Sequence, residues 1–347
     1  MSGYKVVYGP VPSRRLGRSL GVGPIPFKTC DYSCVYCQLG RTTHMTIERK
    51  DFFPPQAILK EIEQAIEVNE HWIDFVTFVG EGEPTLCRSI GWLIRKTKEI
   101  TDIPIAVDTN GSLLYLADVR ADISEADIVM PSLDAGTAGT FRKINRPHRE
   151  LDFEVVVRGM EKFRREYSGE IWMEVMLVKG LNDTGEELEA IKSILERIEP
   201  DRTYLNVPIR PPAEPWAVPP DKEAIALADA ILSEVNTVEI TTEETGEFST
   251  RGFTSPEEAI MAILRRHPMR EEQVIATLKR ERFQQSDIED CLTRLYESGR
   301  IKRVSYRNNL FWVTVEERRG KGKGKGKGKG KGKGKGKGKG KPGGGGR

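Results

Sequence analysis

The sequence predicts an α/β protein built on an incomplete (β/α)6 TIM-like barrel, and three observations carry that prediction. Apolar runs that read as buried strands alternate with amphipathic stretches at short spacing over residues 55–250. The runs are bounded by Gly, Pro, Asn and Asp, the punctuation of βα units in a parallel sheet. Counting a strand near LGVGPIPF (20–27) gives six units in about 230 residues, which suits an open barrel better than a closed one of ~250. An open doubly wound sheet fits the same pattern.

The elements follow in chain order. After LGVGPIPF come the strands FVTFVG (75–80), IPIAV (103–107), DIVMPSL (127–133), IWMEVMLV (171–178) and YLNVPI (204–209). Between and after them lie the helical pieces QAILKEIEQAIEVN, SIGWLIRKTKEI, DFEVVVRGMEKFRREY, GEELEAIKSILERI and DKEAIALADAILSEV. The third opens on a β-branched run, which leaves its first turn insecure. Residues 1–236 make up this core. The stretch 237–254 is polar, rich in Thr and Glu and without a helical period, and reads as a linker. Three short helices and two β-rich arms around Asn308 and Asn309 then resemble a winged helix over 255–316, with Ser255 and Ser286 as N-caps and Gly299 as a stop. Residues 317–347 are mostly alternating Gly and Lys, and such a segment is expected to be disordered because it has nothing to bury.

Charge divides the chain. The whole carries a formal +2, yet Gly320–Arg347 holds +12 and the residues before it −10. An acidic body excludes a protein whose whole surface cradles nucleic acid. No run approaches the ~18 apolar residues of a membrane span, and MSGYKVVYGP lacks a signal-peptide core. A cytoplasmic protein without a membrane partner is expected.

Three of the five cysteines crowd into KTCDYSCVYC, at Cys30, Cys34 and Cys37. Three thiolates on one tight loop can ligate three irons of a [4Fe–4S] cluster and leave the fourth open to a ligand. Structural zinc held by the same cysteines with His44 is the competing reading. The motif GEGEPTL (80–86) follows the strand FVTFVG. Its Gly80 and Gly82 permit close backbone approach, Pro84 fixes the exit, and Glu83 can offer a carboxylate to an ammonium group.

CxxxCxxC after one strand and GxGEP after the next resemble the radical S-adenosylmethionine (radical SAM) superfamily. The likeness extends through VDTNG (107–111), SLD (132–134), FRKINRPH (141–148) and NVPIRPP (206–212), and covers most of residues 10–215. Within the superfamily the text is similar to iron–sulfur oxidoreductases related to the wyosine-forming tRNA enzymes. The resemblance implies that Cys30, Cys34 and Cys37 hold a [4Fe–4S] cluster, whose open iron takes the amino and carboxylate groups of S-adenosylmethionine. One electron from a flavodoxin- or ferredoxin-like donor then yields methionine and a 5′-deoxyadenosyl radical that abstracts hydrogen. It also implies that Tyr36 packs near the adenine and that Gly82 and Glu83 hold the methionyl ammonium. Asn110, Ser132, Asp134 and Asn206 stand near predicted strand ends, where ribose and carboxylate contacts belong.

Other residues carry weaker signals. Cys87 is either a radical relay or extra ligand, or a small buried apolar residue. Cys291 reads as core, and His44 and His148 as solvated loop residues. Arg14, Arg15 and Arg18 can grip a substrate phosphate or pair with the surplus acids. Two substrate classes compete. RNA, as in tRNA modification, is the leading expectation, favoured by the family resemblance, the winged helix and the basic tail. A protein or small metabolite, with the winged helix as a docking module, suits the acidic barrel better. A zinc-stabilised binding protein is the non-enzymatic alternative.

Overall fold

The computed structural model describes residues 6–69, 71–240, 253–281 and 283–315. Its main sheet begins with a hairpin, β1 (Val7–Ser13) and β2 (Gly17–Val22), paired antiparallel with an irregularity between Tyr8 and Val11. Two short strands, β3 (Thr29–Cys30) and β4 (His44–Met45), pair with each other and close the loop that carries the cysteines. The sheet continues in parallel through β5 (Phe75–Phe78), β6 (Ile105–Thr109), β7 (Ile128–Pro131), β8 (Glu170–Met176), β9 (Arg202–Asn206) and β10 (Thr237–Ile240). Its order, β1-β2-β5-β6-β7-β8-β9-β10, leaves the two edges unpaired with each other. The result is a curled half-barrel.

Seven strands therefore run parallel, not six, and an antiparallel strand flanks them. The extra parallel strand is β10, whose TVEI sequence the linker reading had absorbed. It bonds β9 from Thr237↔Thr203 to Ile240↔Asn206. Its four residues alternate polar and apolar, a run too short to stand out from the polar stretch that follows it. The rest of the predicted linker, 241–252, and the Gly-Lys tail lie outside the described residues.

Seven helices belong to the barrel: α1 (Pro55–Val68), α2 (Ile90–Ile100), α3 (Ala117–Ile123), α4 (Ala138–Ile144), α5 (Phe153–Glu166), α6 (Gly185–Ile198) and α7 (Lys222–Leu232). Their apolar stripes face the sheet: Ile58, Ile62 and Ala65 on α1 are buried at helical spacing. The doubtful start of α5 is secured by Asp152, whose carboxylate accepts from the Val155 N–H at 3.2 Å. Phe153, Val156, Val157, Met160 and Phe163 are then buried along one face.

Strand alternation divides the sheet's inner face by depth. Ala106, Ile128, Met130, Trp172 and Tyr204 form an apolar plug. One or two pleats further along the same strands, the inward positions become Asp108, Asn110, Ser132, Asp134, Glu174 and Asn206, all lining one cavity. The polar end is the C-terminal end of the strands, where the loops converge.

The C-terminal module comprises α8 (Pro256–Arg266), β11 (Met269–Arg270), α9 (Glu271–Glu281), α10 (Gln285–Glu297), β12 (Ile301–Tyr306) and β13 (Asn309–Thr314). Its sheet has the order β11-β13-β12, and it has its own apolar core, including Ile260, Leu292 and Trp312. Ser255 caps α8 by accepting from the Glu258 N–H at 3.2 Å. The cap position of α10 is Gln284, so Ser286 sits inside the first turn instead of capping it. The hairpin turns through Arg307 and Asn308, both at positive φ, as a two-residue turn of matched twist requires. Gly299, at φ +72°, ends α10 as expected. Described residues up to Val315 form one compact unit. Among the described residues no helix is long and apolar enough to cross a membrane.

Candidate active site

A cavity of about 350 Å³ opens at the polar end of the half-barrel, and all ten predicted site residues line it: Cys30, Cys34, Tyr36, Cys37, Gly82, Glu83, Asn110, Ser132, Asp134 and Asn206. They come from the cysteine loop, the GEGEP loop and the ends of β6, β7 and β9. The first two loops run side by side. Lys28 N–H donates to the Glu81 carbonyl at 2.5 Å, and Glu83 N–H to the Thr29 carbonyl at 3.1 Å. Gly82 permits this approach, since a Cβ there would lie 1.7 Å from the Thr29 carbonyl oxygen.

The three thiols are free and share the cavity wall. Burial pushes each above the ordinary thiol range, and the Asp31 carboxylate adds to this at Cys30. All three sulfurs are nonetheless aimed at by donors, Cys37 by the backbone N–H groups of Leu39 and Gly40. Cys30 Sγ accepts from the Tyr32 N–H at 3.4 Å and the Asn110 Nδ2 amide at 3.7 Å. Cys34 Sγ accepts from Asn145 Nδ2 at 3.6 Å. Such donors suit thiolates that stay ionised through ligation. Among the described residues no three His, Cys, Asp or Glu side chains converge on a single ion. All three thiols face one cavity, as the ligands of a shared metal group would. His44 pairs through its backbone with Thr29 while its side chain is exposed, so it gives no support to a Cys3His zinc site.

Glu83 lines the cavity, but its carboxylate is 1% exposed and already engaged. Oε1 accepts from Thr85 N, Thr85 Oγ1 and Thr109 Oγ1, and Oε2 from the Asn110 N–H at 2.8 Å. Burial, reinforced by Asp31, raises its pKa. The structure thus gives Glu83 the work of locking the GEGEP loop to β6. Asp134 is similarly committed: Oδ2 accepts from Tyr36 Oη at 2.5 Å and Asn145 Nδ2 at 2.6 Å, and Oδ1 from the Met176 N–H. Asn206 differs. It is 1% exposed, and its Nδ2 has no hydrogen-bond partner, so it offers an unused donor to a ligand in the cavity.

Several lining or supporting residues escaped the sequence reading. Asp31, fully buried beside Cys30, accepts from Asn110 Nδ2 at 2.6 Å and from Ser112 Oγ. Glu174 and Asp108 pair with Arg15. Arg14 reaches Asn206 Oδ1 at 3.4 Å and lines the cavity, whereas Arg18 pairs with Asp74 away from it. Cys87 and Cys291 are buried in the two apolar cores and do not line the cavity.

The C-terminal module completes the wall. Arg266 and His267, at the end of α8, line the cavity with Tyr8. Arg265 and Arg266 form ion pairs with Glu81 at 3.1 and 3.3 Å. Arg266 lies 4.3 Å over the Tyr8 ring, and its carbonyl accepts from Gln38 Nε2. Tyr306 Oη donates to the Pro208 carbonyl at 2.9 Å.

Residues 25–193 match the Radical SAM superfamily. A UPF0026 protein of Methanocaldococcus jannaschii is 38% identical over 316 residues, covering 89% of this chain and 95% of its own. A protein of Brachyspira hyodysenteriae named GTPase Obg is 38% identical over 86% of this chain, which spans 43% of that protein. Among solved structures, TYW1 with a lysine-pyruvate adduct bound aligns at a TM-score of 0.47 and 19% identity, covering 62% of this chain and 73% of that one.

Proposed function

This chain belongs to the UPF0026 family and carries a Radical SAM superfamily domain, and from that premise we propose that it is an oxidoreductase holding a [4Fe–4S] cluster on Cys30, Cys34 and Cys37 and binding S-adenosylmethionine beside it. When bound, the pair supplies a one-electron reductive cleavage of the sulfonium and a radical able to take hydrogen from a substrate. The observation that carries this reading is the gathering of the three thiols, the GEGEP loop and the strand-end polar groups around one cavity.

The chain's own residues would bind, orient and shield. Asn110 and Asn145 donate to sulfur, and Asp31 and Asp134 hold those two amides in place. Tyr36, fixed by its hydroxyl on Asp134, would present its ring to the adenine. The unused Asn206 amide would donate to an acceptor of the bound molecule. Gly82 and Glu83 would bring the GEGEP backbone within reach of the methionyl ammonium, and Ser132 would meet the ribose side. Arg266, His267 and Tyr8 would exclude water at the mouth.

For the substrate, we favour a small molecule or a protein side chain that enters the cavity, with the C-terminal winged-helix-like module as a clamp. Its α10 carries four acids against one Arg, which repels phosphate. Two basic residues of its hairpin region, Arg300 and Arg303, are paired with Glu257 and Glu271. RNA modification is the second reading, supported by the +12 charge of the tail. The test is anaerobic incubation of iron-loaded protein with reductant and S-adenosylmethionine. We expect 5′-deoxyadenosine from the native chain and none from Cys34→Ala, with stimulation by a metabolite or protein fraction. A colourless zinc protein without product would refute the enzyme reading. A mass-shifted nucleoside in added RNA would select the second substrate class.

A further inference from the structure

The outer side of the cysteine loop leans on a basic surface that the cavity does not use. Arg142, Arg146, His148 and Arg149, together with Glu150 and Asp152, line a separate surface depression that shares no residue with the cavity. Lys143 is exposed beside them, and Arg41 joins Arg146 on the Glu214 carboxylate. Arg142 and Lys143 form no ion pair among the described residues, and Arg149 is 88% exposed with only a 3.9 Å approach to Glu150. Residues 1–253 hold 29 basic against 41 acidic residues, so a patch where five cations outnumber Glu150, Asp152 and the Glu214 shared by Arg41 and Arg146 runs against the charge of the body.

This surface is bonded directly to the thiol-bearing loop. Ser33 N–H donates to the Asn145 carbonyl at 2.9 Å and to the Arg146 carbonyl at 3.2 Å, and Val35 N–H to the Ile144 carbonyl at 2.9 Å. His148 N–H donates to the Asp31 carbonyl at 2.7 Å, and Asn145 Nδ2 touches Cys34 Sγ. Arg146 holds a positive φ of 47°, a conformation that costs a non-glycine residue and keeps its carbonyl on Ser33.

We propose that Arg41, Arg142, Lys143, Arg146 and Arg149 form the docking surface for an acidic one-electron donor protein, which reduces the site through the backbone of the cysteine loop. This rests on the cluster reading given above. A partner held here reaches the thiolates only through protein matrix, which suffices for an electron but not for a substrate atom; that separation favours an electron carrier over RNA. The electron balance is simple. The anionic flavin hydroquinone of a flavodoxin gives up one electron and becomes the neutral semiquinone, the oxidised cluster accepts that electron, and no proton moves. Opposed charges speed such encounters and make them salt-sensitive.

The test uses the full-length, cluster-loaded protein, a flavodoxin as probe, and the charge-reversed variant Arg142→Glu/Lys143→Glu/Arg149→Glu. None of these side chains lines the cavity. Binding of oxidised flavodoxin, followed at low salt without turnover, should weaken by tenfold or more and lose most of its salt dependence. Bleaching of the cluster absorbance by flavodoxin hydroquinone should slow by a similar factor. Iron content and dithionite-driven cleavage of S-adenosylmethionine should stay as in the native chain, and their loss in the native chain would instead indict the cluster reading. Unchanged flavodoxin binding and reduction, or native protein that dithionite reduces and flavodoxin does not, would overturn the proposal. So would a variant whose only defect is RNA retention.

Discussion

Glu83 and Asp134 show how far a buried carboxylate can be spent on its own chain. Each accepts several hydrogen bonds from groups on neighbouring loops, and neither has a full oxygen to spare. Replacing Glu83 with Gln sets an amide donor against the Thr hydroxyls and N–H groups that now donate to it. We expect a stability loss of about 1–3 kcal/mol, measurable by denaturant unfolding of protein without iron or S-adenosylmethionine. An unchanged midpoint would show that Glu83 acts only on bound cofactor. The cysteines and GEGEP were legible because their chemistry lies in residue type and spacing. Asp31 and Asn145 were not, because their contact with the thiol loop depends on how that loop turns, and sequence neighbours do not reveal it. Arg15 and Arg18 were legible as cations, but only the fold decides which acid each one meets.

At the scale of elements, the cysteine loop is tied down by an ion-pair clasp on the buried Glu214. Glu214 accepts from Arg41 Nε at 2.8 Å and from Arg146 Nη1 at 2.5 Å, and its own N–H donates to the Val35 carbonyl. Arg41, and then Arg146, hold the Glu214 carboxyl below its ordinary value of 4.5. A lowered folded pKa means that the clasp contributes fully above that ordinary value and fades as pH falls through the lowered one. Protection of the amides in residues 31–43, taken as the exchange rate relative to the intrinsic rate at each pH, should therefore fall on acidification below about 4. Glu214→Gln should be fast already at neutral pH and respond less to acid; an identical pH response would remove the clasp from the account. The barrel strands were visible as apolar runs, since parallel strands are buried on both sides. β10 was not, for its four alternating residues run straight into a polar stretch, and α3 and α4 were too short to show a period.

For the molecule as a whole, the decisive feature is the seating of the C-terminal module on the cavity wall. Arg266 and Glu81 are both almost fully buried, so the pair is costly to break from one side. Glu81→Gln should leave Arg265 and Arg266 without their counter-charge and raise hydrogen exchange across Pro256–Arg266 at least several-fold. Exchange confined to the native rate would mean that the apolar and Tyr306 contacts hold the module alone. In this module the Ser255 cap, the Gly299 stop and the Asn308 turn were readable, the start of α10 was not, and no local pattern announces a long-range contact between α8 and a loop some 180 residues earlier. Through Glu81 the module is tied to the loop that carries Gly82 and Glu83. The central claim is that three thiolates present one open iron to S-adenosylmethionine, and it is tested most directly by electron paramagnetic resonance of the reduced, anaerobic protein. A cubane signal that changes shape when S-adenosylmethionine is added, and is absent from Cys34→Ala, is the predicted result. A signal indifferent to S-adenosylmethionine, or no iron signal at all, would contradict it.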